Sequence, residues 1–159
     1  MATIENPMHI WSGTSGDLDA VMEIMEAAFG AQFGEAWTRS QCAGILPMAG
    51  VSLILADNGE TGSPVGFSLF RSVANESELL LLAVSPEHRR QGIGRRLLHH
   101  FLDQARSAGI DRVHLEVRDG NPAIHMYRQS GFEPIGRRRN YYRGRDGSQF
   151  DALTFALEL

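Results

Sequence analysis

The chain has 159 residues, 43% hydrophobic and 21% charged, with a formal net charge of −4. That length favours a single domain over residues 1–159 with an ample core, and the longest unbroken apolar run, Leu79 to Val84, is far short of the ~20 residues needed to cross a bilayer. All fifteen basic residues are arginine, which excludes P-loop NTPases built on GK[ST] and enzymes that form Schiff bases through a lysine. GxSxG, HExxH and CxxC are absent, so serine-hydrolase, zincin and thioredoxin-like chemistry is excluded as well. Cys42 is the only cysteine, which precludes an internal disulfide and suits a reducing cytoplasm. The opening MATIENPMHI carries Glu5 and no apolar core of a signal peptide, so neither export nor a membrane partner is expected.

The elements follow in chain order. His9–Trp11 reads as a first short strand. SGTSGD then starts a helix whose Leu18, Val21, Met22, Met25, Ala28 and Phe29 recur at helical spacing. A second helix runs from an N-cap at Thr38 to Leu46, with Pro47 beyond it. Val51–Ala56 and Val65–Val73 form two strands joined at DNGETGSP, and Glu78–Val84 forms a third. Ile93, Leu97, Leu98, Phe101, Leu102 and Ala105 mark an amphipathic helix that stops at Gly109. Ile110–Val117 alternates as a strand, with Val113, Leu115 and Val117 on one face and His114, Glu116 and Arg118 on the other. Asn121 and Pro122 open a helix that Gly131 ends, and strands at about Phe132–Tyr142 and Phe150–Leu157 finish the chain. The expected order is β-α-α-β-β-β-α-β-α-β-β: an α+β domain with one mixed sheet and helices on both faces.

Charge is unevenly spread along this order. Residues 1–85 hold 2 arginines and 10 acidic residues, whereas residues 86–145 hold 13 arginines and 6 acidic residues. An acidic average argues against direct DNA binding, while a basic middle section suits a small polyanion. Within it, ELLLLAV leads through SPEH into RRQGIG and straight into a helix. Gly92 and Gly94 let backbone approach a ligand, and the free N–H groups of a helix start favour a diphosphate. Position 97 is leucine, so GxGxxG is not met and a dinucleotide fingerprint is excluded.

AVSPEHRRQGIGRRLL, HLEVRDGN and IHMYRQSGF resemble, in order and spacing over residues 79–133, the GCN5-related N-acetyltransferase superfamily. LEVR with Glu116, the Tyr127 helix, and RRRNYY at 137–142 followed by DG and DAL look most like its RimI-type ribosomal-protein alanine N-acetyltransferases. The resemblance implies an α+β fold of that superfamily and acetyl-CoA as cosubstrate. Its diphosphate would lie at Arg89, Arg90, Gln91, Gly92, Ile93, Gly94 and Arg95, and its pantetheine along Leu82, Ala83 and Val84. That last contact requires the strand to splay from its parallel neighbour, leaving backbone groups free. The family's cofactor-contacting asparagine matches Asn121, although Glu116 and Tyr127 stand one residue closer together than in the RimI-type pattern.

The same resemblance assigns Glu116 as general base and Tyr127 as the acid that protonates the leaving sulfur. His114 lies about 6.6–6.8 Å along the same strand face and is a rival base. An α-amine of pKa 7.7–8.0 costs roughly 3.5 kcal/mol less to deprotonate than a lysine near 10.4, so one carboxylate suits an N-terminal amine better. Tyr141 and Tyr142 match a tyrosine pair that shapes the peptide groove, and FGAQFGEAWTRSQ, with Glu35 and Trp37, is expected to form its other wall. The histidines show no ligand spacing, so no metal is expected.

The implied activity is transfer of acetyl to a protein N-terminus, such as that of a small-subunit ribosomal protein, by direct attack in a ternary complex. The implied state is a monomer or weak dimer. Acetylation of a small amine or a lysine side chain, and a non-catalytic acyl-CoA-binding module, are the alternatives.

Overall fold

The computed structural model describes residues 8–60 and 62–159. The reading of the first seven residues as free of an export signal therefore lies outside the described residues. Seven strands form one mixed sheet: β1 (Ile10–Ser12), β2 (Val51–Ala56), β3 (Gly66–Val73), β4 (Glu76–Val84), β5 (Arg112–Arg118), β6 (Glu133–Arg143) and β7 (Gln149–Glu158). The spatial order is β1-β2-β3-β4-β5-β7-β6, antiparallel except for the β4–β5 pair. Helices α1 (Leu18–Phe29), α2 (Arg39–Ile45), α3 (Ile93–Ser107) and α4 (Ile124–Gln129) complete the expected order. Among the described residues no helix is long and apolar enough to cross a membrane.

Two cores, one on each face, hold the sheet. The six apolar positions of α3 are all buried and pack with Val113, Leu115, Val117, Tyr127, Phe132 and Phe155. On the other face Val21, Ile24 and Met25 of α1 and Cys42 of α2 pack with Leu53, Leu55, Phe67, Leu69, Leu81 and Ala83. Thr38 caps α2 reciprocally: its hydroxyl accepts from the Gln41 N–H at 3.1 Å, and its own N–H donates to the Gln41 side chain at 2.8 Å.

Some boundaries differ from expectation for local reasons. The first strand begins at Ile10 because the His9 N–H donates to the Asp57 carboxylate at 3.1 Å instead of joining a ladder. The last helix begins at Ile124 rather than Asn121. The Asn121 side chain accepts from the Ala123 N–H at 2.9 Å, which stabilises a turn over 121–123 that precedes the helix.

The feature that positions the site is a split in the sheet. Strands β4 and β5 pair only from Glu76↔Arg112 to Leu79↔Leu115. Beyond that point β4 stays with β3 as far as Gly66↔Val84, while β5 stays with β7 as far as Arg118↔Ala152. The β3–β4 register jumps from Phe70↔Leu79 to Leu69↔Leu81, leaving Leu80 as an extra residue. A bulge bends its strand and sharpens its twist, which carries β4 away from β5. Leu82, Ala83 and Val84 thus keep β3 on one side and have no β5 ladder on the other, the splay that the family resemblance requires.

Candidate active site

The phosphate-type turn closes the end of β4. A short 3-10 turn at Pro86–His88 leads to Arg89, after which Arg90 (φ +63°) and Gly92 (φ +81°) take left-handed conformations. Gly92 caps α3 with no side chain involved. Among the described residues the main-chain N–H groups of Arg90 through Arg95 donate to no carbonyl; the first bond of the helix runs from Arg96 N–H to Gly92 O at 3.0 Å. Such consecutive donors, at the positive end of a fifteen-residue helix, form a concavity for an anion.

Two of the arginine side chains have other tasks. Arg89 donates to the Ala28 carbonyl at the end of α1 at 2.9 Å, and Arg95 donates to Gln129 of α4 at 3.2 Å. They tie the turn to its neighbours while the backbone faces outward. A Cβ on Gly92 would meet nothing within 4 Å, and one on Gly94 would make only ordinary contacts of 3.7 Å with Met126 and Val84. The protein itself has room for a side chain at 94.

Glu116 is the first residue of β5 past the split, and its side chain is 14% exposed. Burial pushes its carboxyl above the ordinary range. Glu78 adds to that rise, whereas Arg138, His114 and the Thr154 hydroxyl oppose it. The Arg138 Nε lies 2.8 Å from Glu116 Oε1, while Oε2 is buried without a hydrogen-bond partner among the described residues. His114 is turned to Glu78, with Nε2 and Oε2 3.6 Å apart. The rival base therefore has an acidic partner of its own.

Tyr127 is buried on α4, its ring edge-on to Phe132 with centroids 6.0 Å apart. Burial first, then the neighbouring Tyr142 and Glu35, raise its phenol well above the ordinary tyrosine value, so it holds its proton throughout the physiological range. Tyr142 is raised chiefly by its own burial, then by Tyr141, Glu35 and Glu116, with Arg118 opposing. Tyr142 thus feels Glu116 and also acts on Tyr127, so its phenol is electrostatically linked to both the candidate base and the candidate acid.

The α1–α2 loop is tied to β5 through a buried ion pair. Arg118 Nε lies 3.2 Å from Glu35 Oε1, and the two side chains are only 9% and 10% exposed. The Asn121 amide donates to Glu35 Oε2 at 2.8 Å, and the Arg118 guanidinium lies 3.6 Å from the centre of the Phe33 ring. Phe33 meets Phe150 edge-on. Gly34 (φ +71°) is pressed so closely on the Arg143 backbone that a Cβ there would fall 1.9 Å from its carbonyl oxygen.

Glu35 is therefore satisfied inside the protein rather than offered as an open acidic wall, and the Asn121 side chain is spent on holding it. Trp37 is half-buried and packs against the α1 core. Tyr141 is 51% exposed and edge-on to Tyr142, the one of the pair that reaches inward. Arg118, Arg138 and Thr154 escaped the site reading, although the first has a signal: it shares a strand face with Glu116, two residues on. Among the described residues no cluster of three or more His, Cys, Asp or Glu is present.

Residues 18–132 match the model of the Acetyltransferase (GNAT) family. Over 101 residues the chain is 39% identical to the [ribosomal protein bS18]-alanine N-acetyltransferase of Escherichia coli K12, covering 63% of this chain and 68% of that protein. It is 44% identical over 87 residues to the N-alpha-acetyltransferase RimI of Mycobacterium tuberculosis, covering 52% of this chain and 53% of that one. The crystal structure of the ribosomal-protein-S18-alanine N-acetyltransferase from Escherichia coli superposes with a TM-score of 0.85 at 31% identity, over 96% of this chain and 94% of that one. With a split sheet, an amide-lined turn and a family match over most of its length, the chain belongs to the GNAT acetyltransferases.

Proposed function

We propose that this protein is an acetyl-CoA-dependent N-acetyltransferase acting on the α-amine of a protein N-terminus, with the terminal alanine of a small-subunit ribosomal protein as its substrate. The observation that carries the reading is the position of Glu116, a partly desolvated carboxylate at the first position where β5 leaves β4. The names of the relatives reported above support the substrate class.

The residues fit acetyl-CoA. The N–H groups of Arg90–Arg95 suit its diphosphate, and the unladdered edge of Leu82–Val84 offers backbone donors and acceptors to a pantetheine amide chain. When bound, it would supply an activated acyl carbon with a thiolate leaving group. Glu116 accepts one proton from the incoming ammonium and passes it to solvent, leaving a neutral amine to attack. Tyr127 gives its phenolic proton to the departing sulfur and recovers one from the amine nitrogen as the amide forms. A phenol held protonated suits that donor role, and a carboxyl whose range is raised by burial is a better base than a solvated one. Direct attack in a ternary complex needs no covalent enzyme intermediate, so Cys42, buried under α1, has no part in it.

A peptide panel read by intact mass tests the substrate class. Alanine-starting peptides should gain one acetyl group, while N-terminally blocked peptides with internal lysines and free polyamines should gain none. Turnover of the lysine peptides or polyamines in preference to free N-termini would overturn the reading.

A further inference from the structure

Glu116 is paired, in the protein alone, with a residue that no catalytic step above employs. Arg138 comes from β6, two strands away in sheet order, and lays its Nε 2.8 Å from Glu116 Oε1. The two partners are unlike: the Arg138 side chain is 63% exposed and the Glu116 side chain 14%. The cation thus reaches in from the solvent side, its Cζ 5.6 Å from the centre of the Tyr141 ring.

The backbone fixes which side of β6 Arg138 occupies. Its neighbour Arg137 is tied to Asp119 at 2.7 Å and Asp151 at 2.8 Å. Register with β7 then slips between Arg138 and Tyr142, where Asn140 turns to φ +54° and its N–H bonds Asp151 at 3.0 Å. Neighbouring residues of a strand point to opposite faces, so anchoring Arg137 presents Arg138 to Glu116. Meanwhile Glu116 Oε2 is buried and unbonded among the described residues, leaving an acceptor for a second donor.

Resting on the reading of Glu116 as base, we propose that Arg138 is a positioning residue that holds Glu116 ionised and oriented until the substrate's ammonium takes its place. A guanidinium and an α-ammonium are both cationic N–H donors, so the seat beside Oε1 suits either. The Arg138 half of the pair is mostly exposed, so water can take up the guanidinium when it is displaced, which is what a displaceable placeholder requires. The groups facing the carboxylate are Glu78 from β4, His114 from β5, Arg138 and Tyr142 from β6, and Thr154 from β7. Of the two cationic contributors, Arg138 is the larger.

The test compares Arg138→Gln and Arg138→Lys with the parent, measuring kcat/KM for an alanine-starting peptide from pH 5.5 to 9. The ratio of variant to parent is the quantity to follow, because the titration of the substrate amine cancels in it. Loss of the cation raises the carboxyl further, so for Arg138→Gln the ratio should fall by roughly three- to tenfold between pH 8.5 and pH 6. Arg138→Lys, which keeps the charge, should restore a nearly flat ratio. A flat ratio for Arg138→Gln, or equal behaviour of the two variants, would overturn the proposal. Glu116→Gln run alongside separates the failures: if it turns over like the parent, the assignment of the base has failed, whereas a slow Glu116→Gln with a flat Arg138→Gln ratio refutes only the role of Arg138.

Discussion

The two sides of the cleft are made of different material. The turn at Arg90–Arg95 presents main-chain N–H groups, and the side chains of Arg89 and Arg95 brace α1 and α4. Across the split, Glu116, Tyr127, Tyr142, Glu35 and Arg118 act through side chains that perturb one another's ionisation or pair directly. A backbone site tolerates changes of side chain so long as φ, ψ and access are kept. A side-chain network does not, because removing one member strands its partners. The contrast yields predictions that differ in kind as well as in size.

The largest effect belongs to the chemistry. Tyr127→Phe and Glu116→Gln should each slow turnover by about 10²–10⁴ while the affinity for CoA, measured by calorimetry, scarcely moves. Loss of CoA affinity in step with rate would mean that the two sides are not separable. Next comes the α1–α2 loop. Arg118→Ala leaves the buried Glu35 carboxylate without its counter-ion and held only by the Asn121 amide, at a cost of about 3–5 kcal/mol in urea unfolding. Replacing both partners by leucine should recover most of that stability while peptide KM remains raised, since the loop then loses its fixed seat. If Arg118→Ala unfolded like the parent, the loop would be held by Phe33 and Gly34 rather than by charge.

Gly94→Ala examines the backbone side. Gly94 lies inside the first turn of α3, where a methyl group meets only ordinary contacts, and alanine is the better helix former by roughly 0.5–1 kcal/mol. Thermal stability should therefore rise, yet the KM for acetyl-CoA should increase roughly tenfold because the methyl group occupies the space needed for close approach of a phosphate. An unchanged KM would place the diphosphate elsewhere and remove the basis of the comparison.

How much of this could be read from residues differs between the two sides for the same reason. The turn is a local motif: glycines, a strand before and a helix after, all within sixteen residues. The α3 core positions, the Thr38 cap and the alternation of Val113, Leu115 and Val117 are local too, and each stands as expected. The split is not local. Leu80 sits in an unbroken apolar run where no side chain marks a bulge, and its location is set by pairing with β3. The Glu35 partners lie 83 and 86 residues further along, so an acidic residue in a loop reads as an open acid until the chain is folded. Arg138 reads as one solvated arginine among five in RRRNYYRGR, and only the β6 register singles it out.

The smallest predicted effect links function to stability through Glu116. Its folded-state carboxyl lies above the ordinary range, chiefly because burial penalises the charge. The fold therefore favours the protonated form. The stability this group contributes is fully present below its unfolded pKa of about 4.3 and is lost as pH rises through the higher folded value. Glutamine has no charge to desolvate, so Glu116→Gln should melt slightly above the parent at pH 8, with the gap closing as pH falls to 4, in thermal scans at fixed ionic strength. Arg138 is left unpaired in this variant, but it is mostly exposed and water replaces its partner at little cost. A melting point that falls at pH 8 would mean that the ion pair outweighs the burial, and that Glu116 is a structural carboxylate. If the gap behaves as expected, both sides of the cleft, through Gly94 and Glu116, hold residues that a sequence selected for stability alone would have replaced.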